Sequence, residues 1–338
     1  MIEHVMLEGL DLYNQDNALG LKGILDDSAN CILTDPPYLY LKNQKLDRVF
    51  DEQLFFAECK RILRPSGFIV LFGRGTSFYR WNTILNDLGF VFKEEIIWDK
   101  SYSSSPLMPI NRVHESISIH TISGKLNKVK VPYVEMKKHD INSIIQDVKR
   151  IKAVLKNTKS LDAVNDFLIN NSDKTNSSPM SEAITISPGK YKPDQALSSF
   201  ISMEKGMNEK TIIRTDLGER SNKHMLTYSD KVKDGDKACN SMQSIHCGMN
   251  EKTIIREIRD HYTSIHPTQK PTALIERLLA LVTKENDIVI DPFSGSCSTG
   301  IACMNLNRYF IGYEIDEEYY LKSVERLKKH KHQYELFK

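Results

Sequence analysis

The stretch 33–38, which reads Leu-Thr-Asp-Pro-Pro-Tyr, constrains the fold of this chain more than any other. It follows Asn-Cys-Ile at 30–32, so a short apolar run ends in an acid, two prolines and an aromatic ring. Apolar runs of this length are typical of buried strands in a parallel sheet. Prolines cannot continue the ladder, and they hold the chain extended beyond the strand's carboxyl end, where open α/β sheets bind ligands. A strand end with an Asx-Pro turn is the alternative for this stretch taken alone.

Apolar periodicity predicts strands alternating with helices on both sides of this motif. The predicted strands lie at 6–10, 30–34, 68–72, 90–98, 113–122, 287–290 and 308–315, and the predicted helices lie at 50–63, 77–88, 272–282, from about 298 to 305, and at 317–330. The alternation along 113–122 indicates a strand with one exposed face. Strand-helix-strand order predicts a parallel sheet with crossover helices.

The middle of the chain, residues 125–264, differs in composition from the rest. It holds 24 Lys and Arg against 18 Asp and Glu, a surplus of +6, while the remainder has 22 against 26, or −4. A helical pair is predicted at 140–171 and a loop at 172–195. A basic region within a slightly acidic frame indicates a polyanionic partner, although solvated lysines would give the same count.

One nonamer, Gly-Met-Asn-Glu-Lys-Thr-Ile-Ile-Arg, occurs at 206–214 and again, unchanged, at 248–256. Two copies are too few for a solenoid, so we interpret them as a local duplication inside an insert. The Thr-Ile-Ile run suits a short strand. Arg214 and Arg256 are either base-reading side chains or surface residues without function.

The compartment is predicted from what the sequence lacks. The N-terminus shows no signal peptide, and no apolar run approaches the length of a membrane span. The six cysteines form no Cys-x-x-Cys pair, which indicates reduced thiols in the cytoplasm. The spacing of Cys239, His246, Cys247 and His261 fits no standard zinc pattern, so no metal site is predicted.

A second motif follows the predicted strand 287–290. Residues 291–300 read Asp-Pro-Phe-Ser-Gly-Ser-Cys-Ser-Thr-Gly, a small-residue loop that leads into a helix. The loop is neither a triphosphate-binding loop nor a dinucleotide fingerprint, yet Glu314 ends the next strand, where a carboxylate accepts ribose hydroxyls. This combination favours a nucleoside ligand without phosphates, of which S-adenosylmethionine is the common one. A generic strand-helix turn is the alternative.

Together the motifs resemble those of the amino-methyltransferases that modify exocyclic amines of DNA bases. Their order is Asp-Pro-Pro-Tyr at 35–38, the basic insert, His-Pro-Thr-Gln-Lys-Pro at 266–271, and the loop at 291–300. This order is similar to that of the circularly permuted β group of the family. The resemblance implies an α/β, Rossmann-like S-adenosylmethionine-dependent methyltransferase sheet, mostly parallel, with an inserted target-recognition domain. It implies a catalytic half at 1–124, a target-recognition region at 125–264 and a cofactor-binding half at 265–338.

The resemblance also assigns roles to residues. Asp35 and the Pro36 carbonyl would accept hydrogen bonds from the target amine, and Tyr38 would stack on the flipped base. Glu314 would bind the ribose of the cofactor, and Asp11 would lie near its adenine. The implied catalytic set is Asp35, Pro36, Pro37 and Tyr38, and the implied cofactor-binding set is Asp11, Thr268, Lys270, Asp291, Phe293, Ser294, Gly295, Ser296, Thr299 and Glu314.

The implied activity is methyl transfer from S-adenosylmethionine to the N6 amine of adenine in double-stranded DNA. Aspartate rather than serine at position 35 favours adenine, and cytosine-N4 is the alternative. Two alternative functions belong to other classes. They are an RNA or protein methyltransferase and a catalytically silent DNA-binding protein. The resemblance implies that the protein is located in the bacterial cytoplasm. It leaves open a phage origin, a cognate restriction enzyme as partner, and whether the protein is a monomer or a homodimer.

Overall fold

The computed structural model describes residues 3–7, 9–38, 48–100, 110, 113–137, 140–152, 241, 244–245, 247–258 and 264–336. The strands are β1 Glu3–Leu7, β2 Leu10–Asn14, β3 Ala29–Thr34, β4 Leu63–Gly73, β5 Val91–Asp99, β6 His114–Thr121, β7 Lys130–Val131, β8 Met249–Asn250, β9 Ile254–Arg256, β10 Ile288–Asp291 and β11 Tyr309–Glu314. The helices are α1 Asn17–Lys22, α2 Glu52–Ile62, α3 Gly75–Asp87, α4 Tyr133–Lys137, α5 Ile141–Lys152, α6 Thr272–Val282, α7 Ser298–Asn305 and α8 Glu317–Leu336. None of these helices is long and apolar enough to cross a membrane.

Nine of the strands form one mixed sheet in the order β1-β2-β11-β10-β3-β4-β6-β5-β9. The pairs from β2 through β4 are parallel, as is β5 with β9, whereas β1–β2, β4–β6 and β6–β5 are antiparallel. The predicted α/β fold with a mostly parallel sheet is therefore confirmed. The two motif-bearing strands, β3 and β10, are direct neighbours, with Val289 opposite Cys31 and Ile290 opposite Ile32.

Helices cover both faces of this sheet, because successive side chains of a strand point to opposite sides. In β3, Cys31 and Leu33 belong to one apolar core, which includes α6, α7 and α8. Ile32, between them, belongs to the other core, which includes α1, α2 and α3. The sequences of the central strands are therefore continuous apolar runs, as expected for a sheet that is buried on both faces.

Two sequence-based expectations about strands were wrong. The single strand predicted at 6–10 is divided between two strands: Met6 and Leu7 end β1 and Leu10 begins β2, with Gly9 at φ +86° between them and Met6 paired with Asp11. The strand at 113–122 has no exposed face along its second half, because β6 lies between β4 and β5. Its polar side chains are buried, and His120 Nε2 lies 2.7 Å from Asn82 Oδ1 of α3.

The chain divides into two compact units, one of Met1–Ser104, Arg112–Lys128 and Lys252–Lys338, the other of Ser105–Asn111 and Val129–Glu251. The nine-stranded sheet belongs to the first unit. In the second unit, Asp147 of α5 accepts hydrogen bonds from Tyr133 (2.7 Å), Lys137 (2.6 Å) and Ser241 (3.0 Å). This buried carboxylate therefore joins sequence-distant parts of the insert. The role of 125–264 in target recognition stays a prediction.

The second copy of the nonamer provides β8 and β9. Met249–Asn250 pairs with β7, and Ile254–Arg256 forms the strand at the edge of the large sheet, with Ile255 fully buried. The short strand expected at Thr-Ile-Ile is therefore confirmed for this copy. The first copy with Arg214, the loop at 172–195 and the second half of the predicted helical pair lie outside the described residues.

Candidate active site

The carboxyl ends of β3 and β10 open into one cavity of about 490 Å³. That volume is in the range of small-molecule sites. All but one of the residues assigned to the site from sequence line this cavity: Asp35, Pro36, Pro37, Tyr38, Thr268, Lys270, Asp291, Phe293, Ser294, Gly295, Ser296, Thr299 and Glu314. The two motifs, which are some 250 residues apart in sequence, thus face the same space.

Asp11 is the residue that the structure does not bring into the cavity. It lies within β2, three positions before the strand ends at Asn14, and its carboxylate is 3.4 Å from His4 Nε2. Three strand residues span about 10 Å, so Asp11 sits well below the edge at which the cavity opens. The residues that follow β2, namely Gln15 to Ala18, line the cavity instead.

Asp35 is held by two side chains at the mouth of β3. The Tyr38 hydroxyl donates to Asp35 Oδ1 (2.5 Å), and the Lys270 ammonium donates to Oδ2 (2.6 Å). The Tyr38 carbonyl accepts from Ser77 at the start of α3 (2.8 Å), which fixes the backbone after the two prolines. The carboxylate is therefore oriented before any ligand arrives.

Lys270 was expected at the cofactor, but the structure gives it a different set of partners. Besides Asp35, its ammonium lies 3.2 Å from Glu115 Oε2 and over the rings of Phe72 (5.2 Å) and Trp98 (5.9 Å). Burial alone would lower the pKa of Lys270, but the charges of Asp35 and Glu115 outweigh it and raise the pKa. Lys270 is therefore a buried, charged group on the Asp35 side of the site.

The loop after β10 is fixed by two side chains of α8. Gly295 has φ +51° and Cys297 has φ +56°, so the loop turns sharply before α7 begins. Ser323 donates to the Gly295 carbonyl (2.6 Å), and Arg326 donates to the Ser296 carbonyl (2.7 Å). A Cβ on Gly295 would lie 3.4 Å from the His266 ring. That is an ordinary contact distance, so the positive φ of Gly295, rather than lack of space, favours glycine where the backbone lines the cavity.

Glu314 closes the loop from the end of β11. Its two oxygens accept from the backbone N–H of Gly295 (2.9 Å) and of Asp316 (2.8 Å). Burial raises the pKa of Glu314, and the two backbone N–H donors counter part of that rise. Each oxygen keeps a lone pair for a second donor, so the carboxylate can bind a pair of hydroxyl groups.

Asp291, the last residue of β10, is buried beneath the loop. Its oxygens accept from Thr299 Oγ1 (2.6 Å) and from the Phe293 backbone N–H (3.1 Å). Burial is the main cause that raises the pKa of Asp291 to about 7, with the charges of Asp35 and Glu314 adding to it against the two hydrogen bonds. This acid therefore changes charge near neutral pH.

The raised pKa predicts how Asp291 affects stability. An aspartate in the unfolded chain titrates near 3.9. The stabilisation of the folded state by protonated Asp291 is therefore fully present below about pH 4, and it falls by up to about 1.4 kcal/mol per pH unit as the pH rises towards 7. Asp291→Asn removes this titration. The free energy of unfolding of the wild type minus that of the variant should fall from pH 5 to pH 7 and level off above about pH 8. Chemical denaturation at each pH measures it, with Asp87→Asn on exposed α3 as a control, and a pH-independent difference for Asp291→Asn would contradict the assignment.

Sequence reasoning missed several cavity residues, of which Glu115 is the most consequential. Glu115 follows His114 at the start of β6, and its carboxylate lies 3.0 Å from the Lys100 ammonium. Trp98 lies nearby on β5, and its indole donates to the Glu257 carbonyl (2.8 Å). The signal in the sequence was an acid at the start of an apolar strand. Local patterns do not distinguish a buried acid at such a position from a solvent-exposed acid.

Comparison with known proteins identifies the family. A model of the DNA methylase family, N6_N4_Mtase, matches residues 29–325. The chain belongs to this family. The Type II methyltransferase M.BglII of Bacillus subtilis is 26% identical over 315 residues, which cover 91% of this chain and 66% of that one. The DNA adenine methyltransferase YhdJ of Escherichia coli is 44% identical over 70 residues, covering 21% and 24% respectively.

This DNA methylase therefore spans just under two thirds of M.BglII and a smaller part of YhdJ. Among solved structures, the PvuII DNA methyltransferase, named as cytosine-N4-specific, superposes with a TM-score of 0.50 over 95% of this chain and 90% of that one. Its sequence is 13% identical, so this likeness concerns the fold alone. It agrees with the sheet described above.

Proposed function

We propose that this DNA methylase transfers a methyl group from S-adenosylmethionine to the N6 amine of an adenine flipped out of double-stranded DNA. The observation that carries the proposal is that the Asp35 carboxylate and the nucleoside-type loop with Gly295 and Glu314 face one cavity. A Type II restriction-modification role, with a restriction enzyme as partner, is part of the proposal and is supported by the similarity to the Type II methyltransferase M.BglII.

The residues of the loop fit S-adenosylmethionine. Glu314 is 8% exposed and oriented by two backbone N–H groups, which suits a bidentate contact with ribose hydroxyls. Phe293 offers an apolar wall against the Phe50 ring, 5.4 Å away, and Gly295 leaves room for close backbone approach. The bound cofactor supplies an activated methyl group on a sulfonium, so the protein need not supply a nucleophile of its own.

The chemistry left to the protein concerns the amine. Its lone pair is delocalised into the base ring, which makes it a poor nucleophile. Asp35 and the Pro36 carbonyl would accept the two N–H groups, favour a tetrahedral nitrogen, and stabilise the positive charge that grows on it. Such preorganised groups are typically worth about 3–4 kcal/mol each. Because Tyr38 now holds Asp35 Oδ1, the amine would displace the hydroxyl and leave the ring able to stack on the base.

Adenine is favoured over cytosine by two observations. Aspartate occupies position 35, and YhdJ, which is 44% identical to this chain over 70 residues, is named as an adenine methyltransferase. Cytosine-N4 is the second candidate, because the PvuII enzyme of the same fold is named for that base. Both bases present an exocyclic amine to the same pair of acceptors, so the choice concerns the shape of the pocket around it.

The test is to express the chain in cells that lack DNA methylation and to map the modified bases by sequencing. We expect N6-methyladenine at one short recognition sequence. N4-methylcytosine in place of N6-methyladenine would favour the second candidate, a cytosine-N4 methyltransferase. Unmodified DNA, from cells in which the folded protein is abundant, would contradict the proposed activity itself.

A further inference from the structure

Four alternating charges run through the inner part of the site. Lys100 pairs with Glu115 Oε1 (3.0 Å), Glu115 Oε2 pairs with Lys270 (3.2 Å), and Lys270 pairs with Asp35 Oδ2 (2.6 Å). The side chains of Glu115 and Lys270 are 15% and 10% exposed. Their charges sum to zero, as buried ions require. Of the four, Asp35 is assigned to the target amine and Lys270 was expected near the cofactor, so Glu115 and Lys100 need an explanation.

The Lys270 ammonium creates a conflict with the proposed chemistry. A cation 2.6 Å from Asp35 withdraws negative charge from the carboxylate that should accept the amine. It also repels both the positive charge that grows on the amine and a sulfonium cofactor. A lysine bound to Asp35 alone would therefore orient the acid but weaken it. In this protein the same ammonium is shared with a second carboxylate, that of Glu115.

Resting on the proposed function, we propose that Glu115 is a positioning residue for methyl transfer, which shares Lys270 with Asp35 and so leaves Asp35 both oriented and negatively charged. Lys100 fixes Glu115 from its other side, and the rings of Phe72 and Trp98 hold the Lys270 ammonium between the two acids. Burial alone would raise the pKa of Glu115, but Lys270 and Lys100 outweigh it and lower the pKa. The two ammonium groups therefore favour the ionised form of Glu115.

The experiment measures kcat for methyl transfer to duplex DNA and the Kd of S-adenosylmethionine by calorimetry. Glu115→Gln keeps the shape and removes the charge, so kcat should fall on the order of tenfold, while Kd stays within about threefold. Glu95→Gln, on the neighbouring strand β5 and exposed, is the matched control and should match wild type. Glu115→Asp keeps the charge and should recover part of kcat.

A double variant gives the sharpest result. If Glu115 acts by balancing Lys270, then Glu115→Gln with Lys270→Met removes both charges, and its kcat should exceed that of Glu115→Gln alone. Equal or lower kcat in the double variant would overturn the proposal, as would Glu115→Gln within twofold of wild type. If Glu115→Gln does not fold, Glu115→Asp decides, because its side chain is one methylene shorter and draws the carboxylate away from Lys270: a lower kcat at unchanged Kd supports the role, and an unchanged kcat overturns it. A wild-type enzyme without activity would instead refute the proposed function.

Discussion

Replacing Asp35 by alanine is expected to abolish methyl transfer while leaving the affinity for S-adenosylmethionine nearly unchanged. The carboxylate is the charged acceptor for the target amine, and loss of such a preorganised group lowers kcat by about 100- to 1000-fold. Asp35 contacts Tyr38 and Lys270, and neither contact belongs to the loop that would bind the cofactor. Transfer of labelled methyl groups to duplex DNA measures kcat, and calorimetry measures Kd.

Two further variants separate the charge of Asp35 from its shape. Asp35→Asn keeps the size and one acceptor oxygen but is neutral, so it should retain more activity than Asp35→Ala and far less than wild type. Asp87→Ala, on the exposed end of α3, is the control and should behave as wild type. A large loss of cofactor affinity in Asp35→Ala, with kcat preserved at saturation, would mean that the acid serves the cofactor instead.

The position of the site could be predicted from sequence because its two halves are local motifs at strand ends. Asp-Pro at 35–36 and at 291–292 each follow a short apolar run. In a parallel sheet the carboxyl ends of such strands meet at one edge, and β3 and β10 are neighbours in the structure. Helices α2, α3, α6 and α8 were likewise expected from their 3.6-residue period.

What could not be predicted depends on contacts between distant parts of the chain. The hairpin of β1 and β2 depends on a turn at Gly9. In the sequence, the two five-residue strands on either side of that turn resemble one longer strand. The burial of Ser118 and His120 depends on β6 lying between two strands rather than at an edge. Glu115 and Lys270 are 155 positions apart, so no local pattern indicates that they form an ion pair.

Two residues have surroundings that differ from those expected, and their roles stay predictions. Asp11 was placed by motif order, yet its distance from the strand end decides which space it faces. Lys270 was assigned to the cofactor by its place in His-Pro-Thr-Gln-Lys-Pro, and its ammonium pairs with Asp35, which follows β3, and with Glu115 of β6. Motif order therefore predicted which segments build the site, whereas the contacts of each side chain depend on pairing between distant parts of the chain, and their roles stay predictions.

Replacing Glu314 by alanine should mainly affect the cofactor. Loss of two charge-assisted hydrogen bonds to ribose hydroxyls is expected to raise the Kd of S-adenosylmethionine by about 10- to 100-fold. At saturating cofactor, kcat should fall much less than in Asp35→Ala. Glu317→Ala, on the exposed start of α8, is the control. Calorimetry measures Kd, and full retention of affinity in Glu314→Ala would show that the ribose is bound elsewhere.

Because Glu314 also anchors the loop through Gly295 and Asp316, a weaker Kd alone would not identify the ribose as its partner. A cofactor analogue that lacks the ribose hydroxyls separates the two effects. Wild type should bind the analogue more weakly than S-adenosylmethionine, while Glu314→Ala should bind both alike, since the group that distinguishes them is gone. If the variant still prefers the natural cofactor by the wild-type factor, Glu314 acts only on the loop. A lost preference means that the carboxylate contacts the hydroxyls directly.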